Sequence, residues 1–139
     1  MFREIDVIIP TNKKLTKLKK LIDQINVQKG DLNKNIIIVY QSSLNENLPN
    51  FLKKKNIIVK KLSVQNLANA KNVGLNLSKS NIITFIDDDI ILSKNYLLKG
   101  WQIMSKNNYD LVFFKINKIN SNIPLSRNMK NFNHKVNFF

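Results

Sequence analysis

Ile36-Ile37-Ile38-Val39-Tyr40 is an apolar run with no polar residue inside it. A strand with one wet face alternates apolar and polar positions. A strand without alternation is apolar on both faces and belongs in a parallel sheet that helices cover on each side. Upstream, Leu15, Leu18, Leu21, Ile22 and Ile25 recur at helical spacing, with Lys13, Lys14, Lys17, Lys19 and Lys20 on the wet side, and Lys29-Gly30-Asp31 closes that helix. Further upstream, Ile5-Asp6-Val7-Ile8-Ile9 is a second buried strand, stopped by Pro10-Thr11-Asn12.

Downstream the two periodicities keep alternating. A polar loop runs from Gln41 to Asn47, a short helix follows at Phe51 and Leu52, and Ile57–Leu62 is a weaker strand. Leu67, Ala70, Gly74 and Leu77 mark a helix whose small residues let a backbone pack close. Ile82-Ile83-Thr84-Phe85-Ile86 reads as a buried central strand running directly into Asp87-Asp88-Asp89. Ser93 is placed to cap a helix carrying Leu97, Trp101 and Met104, and Leu111–Ile116 reads as a further strand. The expected fold is therefore α/β, with a mainly parallel sheet flanked by helices. Residues 1–119 form one domain and residues 120–139 a weakly patterned polar and aromatic tail.

Composition narrows the classes. At 139 residues and 43% hydrophobic the chain can bury a core, and it has no cysteine for disulfides or thiolate metal sites. No apolar run reaches the length of a membrane span, and residues 1–30 do not follow the pattern of a secretory signal. The default compartment is the cytoplasm. Lys plus Arg exceed Asp plus Glu by 23 − 9 = 14, a charge that also suits an anionic inner-membrane surface. It is weak ground for a nucleic-acid partner. The arginines are only Arg3 and Arg127, nucleic-acid readers favour arginine interleaved with aromatics, and Lys and Asn share A/T-rich codons.

In a parallel sheet, ligands bind at the carboxyl ends of the strands, near a switch in strand order. Pro10-Thr11-Asn12, Gln41-Ser42-Ser43 and Asp87-Asp88-Asp89 therefore share one rim. Three adjacent carboxylates repel one another, and a divalent cation removes that penalty; Mg²⁺ or Mn²⁺ suits such oxygen ligands. Alternation along an extended chain sends Asp87 and Asp89 to one side and Asp88 to the other. Read alone, Lys71 is one lysine among many, Thr11 and Asn12 are helix caps, His134 is a surface residue, and Trp101 and the phenylalanines are core.

Four stretches taken together resemble family 2 (GT-A type) glycosyltransferases. Val7-Ile8-Ile9-Pro10-Thr11-Asn12 looks like their opening strand and loop. Ile37-Ile38-Val39-Tyr40-Gln41-Ser42-Ser43 resembles their second strand and turn. Asn69-Ala70-Lys71-Asn72-Val73-Gly74 is similar to their Ala-Arg-Asn-x-Gly helix, and Ile83-Thr84-Phe85-Ile86-Asp87-Asp88-Asp89 to their strand with its Asp-x-Asp motif. The resemblance implies a GT-A, Rossmann-like fold that binds a nucleoside-diphosphate sugar through Mn²⁺ or Mg²⁺ and transfers the sugar with inversion. By position, Pro10, Thr11, Asn12, Gln41, Lys71, Asp87 and Asp88 would contact the nucleotide sugar, and Asp87 and Asp89 would hold the metal.

Two residues depart from the family: Tyr40 stands where many members carry an acid, and Lys71 replaces their arginine. The family's catalytic base follows the Asp-x-Asp strand. Here the only carboxylate after Asp89 is Asp110, at the start of an expected strand and in the wrong context. No residue is assigned as base, so the resemblance implies a truncated domain that a partner chain or a missing carboxyl-terminal half would complete. Without such completion, a binding module that keeps the nucleotide-sugar site is the alternative.

Overall fold

The computed structural model of the chain describes residues 3–12, 15–41, 48–107 and 109–114. The expectations for Lys13, Lys14, Ser42, Ser43, Ile116, Arg127, His134 and the tail from 120 lie outside the described residues. Four parallel strands form one sheet in the order β3-β2-β1-β4: β1 Glu4–Thr11, β2 Asn33–Gln41, β3 Ile57–Leu62 and β4 Ile83–Phe85. Three helices accompany them: α1 Leu15–Asn26, α2 Leu67–Leu77 and α3 Tyr96–Lys106, with a single 3-10 turn at Asn50–Leu52. This is an α/β, Rossmann-like arrangement. Among the described residues, no helix is long and apolar enough to cross a membrane.

Both faces of β1 and β2 are buried, which is why neither strand alternates. Val7, Ile9, Ile36 and Ile38 share one core with Leu18, Leu21, Ile22 and Ile25 of α1 and Leu97 of α3. Ile8, Ile37 and Val39 face the other way, onto Ala70 of α2. α2 lies close because Gly74 has no side chain: a Cβ there would stand 2.3 Å from Cγ2 of Ile8.

Polar side chains tie the layers together at their ends. Asp6, 1% exposed, accepts hydrogen bonds from Asn35 Nδ2 (2.9 Å), Ser78 Oγ (2.6 Å), Ser80 Oγ (2.6 Å) and the backbone N–H groups of Lys79 (2.7 Å) and Ser80 (3.1 Å). Burial by itself pushes this carboxyl up, but the donors from Ser78, Ser80 and Asn35 outweigh it and hold the group well below the usual carboxylate range. Asp6 thus anchors the turn between α2 and β4, and β4 starts in register beside it, with Asp6 opposite Ile83.

Several expectations are corrected. β4 is shorter than Ile82–Ile86 and, among the described residues, is an edge strand rather than a central one, with Phe85 43% exposed. The stretch expected to be a strand from Leu111 is irregular through Phe114. Phe114 packs on Tyr96 of α3, ring centroids 4.7 Å apart. An open cleft of about 950 Å³ lies between this stretch and β4, so the edge of β4 has no partner strand among the described residues. Phe113 is 83% exposed and, like Phe85, is not core.

Ser93 does not cap α3, whose N-cap residue is Asn95 with no side-chain cap bond. The amide of Gln28, from beyond the end of α1, does that work. Its Oε1 accepts the N–H of Leu97 (3.1 Å) while its Nε2 donates to the carbonyl of Ser93 (2.9 Å). α1 ends at Asn26, ahead of Lys29-Gly30-Asp31. Gly30 then turns with φ of +94°, a region that favours glycine, against Leu98 of α3.

Candidate functional site

The chain leaves β1 toward β2 on one side and returns to pair β4 on the other, so the strand order reverses at β1. The crevice beyond the carboxyl ends of such strands is where ligands of this fold class bind. A cavity of about 360 Å³ lies there, lined by Pro10, Thr11, Asn12, Gln41, Gln65, Asn66, Leu67, Asp87, Asp88 and Asp89. Of the residues expected to contact a nucleotide sugar or metal, all but Lys71 meet in this one cavity. The Nζ of Lys71 sits 5.8 Å from the ring centroid of Phe85, a cation–π contact outside the cavity lining.

Thr11 and Asn12 join the rim of the cavity. The Thr11 hydroxyl, buried at the end of β1, donates to Oδ2 of Asp88. Asn12 Nδ2 reaches Oε1 of Gln65 at 3.3 Å. Asp88 is buried while Asp87 and Asp89 are exposed, the division that alternation predicts. It arises through a turn rather than an extended chain: Asp88 and Asp89 are turn residues, and the carbonyl of Asp87 accepts the N–H of Ile90 at 3.3 Å. Asp88 therefore braces the acidic turn against β1, and Asp87 and Asp89 border the cavity.

The second wall was not read from the sequence. Gln65, Asn66 and Leu67 come from the start of α2, where Asn66 is the N-cap and its Oδ1 accepts the N–H of Asn69 at 2.9 Å. The backbone N–H of Asn66 donates to Oε1 of Gln41 at 2.7 Å, which pins the end of β2 to the start of α2. The available signal was an asparagine directly before an apolar helical pattern, a common helix start. It marks where a helix N-terminus, with its partial positive charge, meets the rim.

Among the described residues, no group of three or more His, Asp or Glu side chains could hold a metal ion alone. A cation here would need oxygens from the ligand as well as from Asp87 and Asp89. Asp110 does not line this cavity; it is exposed in irregular chain along the larger cleft, whose lining also includes Asp87 and Asp89.

The glycosyl transferase family 2 model matches residues 6–139. No curated protein matches the chain. The family match takes in β1, β2 and β4, whose ends build the cavity, and nearly all of the remaining sequence; the chain belongs to glycosyl transferase family 2.

Proposed function

We propose that this domain binds a nucleoside-diphosphate sugar in the crevice between β1, β2, β4 and α2, as the donor in an inverting sugar transfer. The observation that carries the reading is the pair of exposed carboxylates, Asp87 and Asp89, on a cavity at the point where the strand order reverses. Mn²⁺ or Mg²⁺ fits this donor set, because such ions commonly take one or two carboxylates and complete their shell with phosphate oxygens and water. Bound there, the cation would offset charge on the departing diphosphate. Thr11 holds Asp88, and through it the acidic turn, at the end of β1. Pro10, Thr11, Asn12 and Gln41 shape the floor against the nucleoside. Lys71 could reach a phosphate only by leaving the ring of Phe85.

Calorimetry tests this directly. The wild type should bind a nucleoside diphosphate in the presence of Mn²⁺ and lose most of that affinity on chelation. Asp89→Asn should weaken metal-dependent binding by about tenfold or more, since a fixed charged ligand is worth at least about 1.4 kcal/mol. Unchanged binding by Asp89→Asn would reduce the acid triplet to a solvated turn.

A second reading, donor binding without transfer, is favoured by the lining of this cavity, which among the described residues holds no carboxylate besides Asp87, Asp88 and Asp89. A turnover assay on the purified 139-residue chain separates the two, and efficient transfer would remove the second.

A further inference from the structure

We infer that the edge of the sheet at β3 is a docking surface for a bilayer that carries anionic lipid headgroups. Between Leu48 and Ile86 the sequence holds seven lysines and no Asp or Glu. A codon bias toward lysine would not by itself keep all nine acids of the chain out of this stretch. Five of the seven lysines belong to β3 or lead into it. Lys53, Lys54 and Lys55 precede the strand, Lys60 and Lys61 lie near its end, and all five are exposed. β3 is last in the strand order, so its outer edge has no partner strand among the described residues. At about 3.3 Å per residue the two groups of lysines stand roughly 15–20 Å apart along that edge.

Lysines alone could serve only to guard an edge strand against stray pairing. The apolar residues set among them point further. Ile58 and Lys60 pair with Ile37 and Val39, so they belong to the face of the sheet on which α2 lies. α2 covers β1 and β2 on that face and leaves Ile58 42% exposed, while Val64, just past the strand, is 67% exposed. Aliphatic side chains of this kind enter a headgroup layer, and lysine stems lie along it and carry their charges to the phosphates. A nucleic-acid site would use arginine and stacking aromatics, and residues 53–65 hold neither.

This surface is separate from the crevice, which none of the five lysines lines. The two are nevertheless close, because Lys61 and Leu62 stand opposite Tyr40 and Gln41 at the end of β2. A bilayer docked along β3 is divided from the crevice lining at Gln41 by a single strand, about 5 Å wide.

The experiment is co-sedimentation of the 139-residue chain with vesicles of phosphatidylcholine, alone or mixed with phosphatidylglycerol. The wild type should bind the mixed vesicles, leave the neutral ones, and come off as salt is raised. An anionic surface is worth about fivefold for each lysine near it. Lys53→Gln, Lys54→Gln, Lys55→Gln, Lys60→Gln and Lys61→Gln combined should therefore weaken binding by about hundredfold or more. The first three alone, outside the strand, should weaken it by about tenfold or more, and Ile58→Ser by about threefold. The control removes equal charge on and beside α1 and α3, through Lys17→Gln, Lys20→Gln, Lys29→Gln, Lys94→Gln and Lys99→Gln, and should cost far less. Circular dichroism checks that each variant is folded. Equal losses in the two five-lysine variants overturn the inference, because charge would then act through no particular face. A β3 variant that aggregates yet still binds vesicles also overturns it, leaving the lysines as edge guards. So does a wild type that ignores the mixed vesicles, whether or not it binds an oligonucleotide through the same lysines.

Discussion

Asp6→Ala will lower the unfolding free energy by about 3 kcal/mol at neutral pH, measured by urea or guanidinium denaturation. The residue is 1% exposed and its carboxylate accepts from five donors on Asn35, Ser78, Lys79 and Ser80. Alanine strands those donors in a place that water reaches poorly, and an unmet buried donor costs about 1–3 kcal/mol. The separate penalties do not simply add, since the two serines can turn to other partners. The same residue fixes a pH dependence. Its folded carboxyl lies below the unfolded value of about 3.9, so its contribution is complete above that pH and is lost as pH falls below it toward the folded value. In that acid window the wild type should lose about 1.4 kcal/mol per pH unit through this group, and Asp6→Ala should lack that component. Equal stability of the two proteins at pH 7 would show that the turn from Ser78 to Ser80 does not depend on its anchor.

Gly74→Ala sets two effects of opposite sign against each other. Alanine in place of glycine inside a helix gains about 1 kcal/mol of helix propensity. Its Cβ, however, would arrive 2.3 Å from Cγ2 of Ile8, and 3.5 Å from Cγ2 of Val39, both in fully buried side chains of the sheet. Overpacking of a filled core costs about 1–3 kcal/mol, and at this distance the upper end applies. The net expectation is a loss of about 2 kcal/mol, read from chemical denaturation. Ile8→Ala removes the Cγ2 that would clash, and although it costs stability by itself, its loss and that of Gly74→Ala should combine to less than their sum, which a double-mutant cycle would detect. A stabilised Gly74→Ala protein would mean that α2 can lift off the sheet at little cost.

The sequence exposed most of the layer structure because the centres of β1 and β2, Val7–Ile9 and Ile36–Tyr40, are buried on both faces and hold no polar residue to blur the pattern. Helices α1 and α2 were legible for the complementary reason, a clean apolar stripe. β4 was overextended because an apolar run reports removal from water, not pairing. Ile82 and Ile86 extend the apolar run at either end, while only Ile83–Phe85 form the ladder. The stretch from Leu111 was misread in the same way: Phe114 finds a ring on α3 instead of a strand partner.

At the site, the acidic turn and the carboxyl ends of β1 and β2 could be placed on one rim from topology alone. The α2 wall could not, because it depends on which atom of Gln41 takes the N–H of Asn66. Gln28 escaped notice for a related reason. An amide that serves a helix many positions away leaves no trace in local spacing.

The bond between Thr11 and Asp88 joins positions 77 residues apart, and that separation has a consequence during synthesis. β1 leaves the ribosome early and can pair with β2 soon afterwards, but its other edge waits for β4. At about 5–20 residues per second, the wait lasts roughly 4–15 s. Throughout it, one edge of β1 shows its unpaired backbone to the surroundings, a template for stray pairing with other nascent chains. The crevice closes last, when the acidic turn arrives, so ligand binding reports completion of the sheet rather than of its first half.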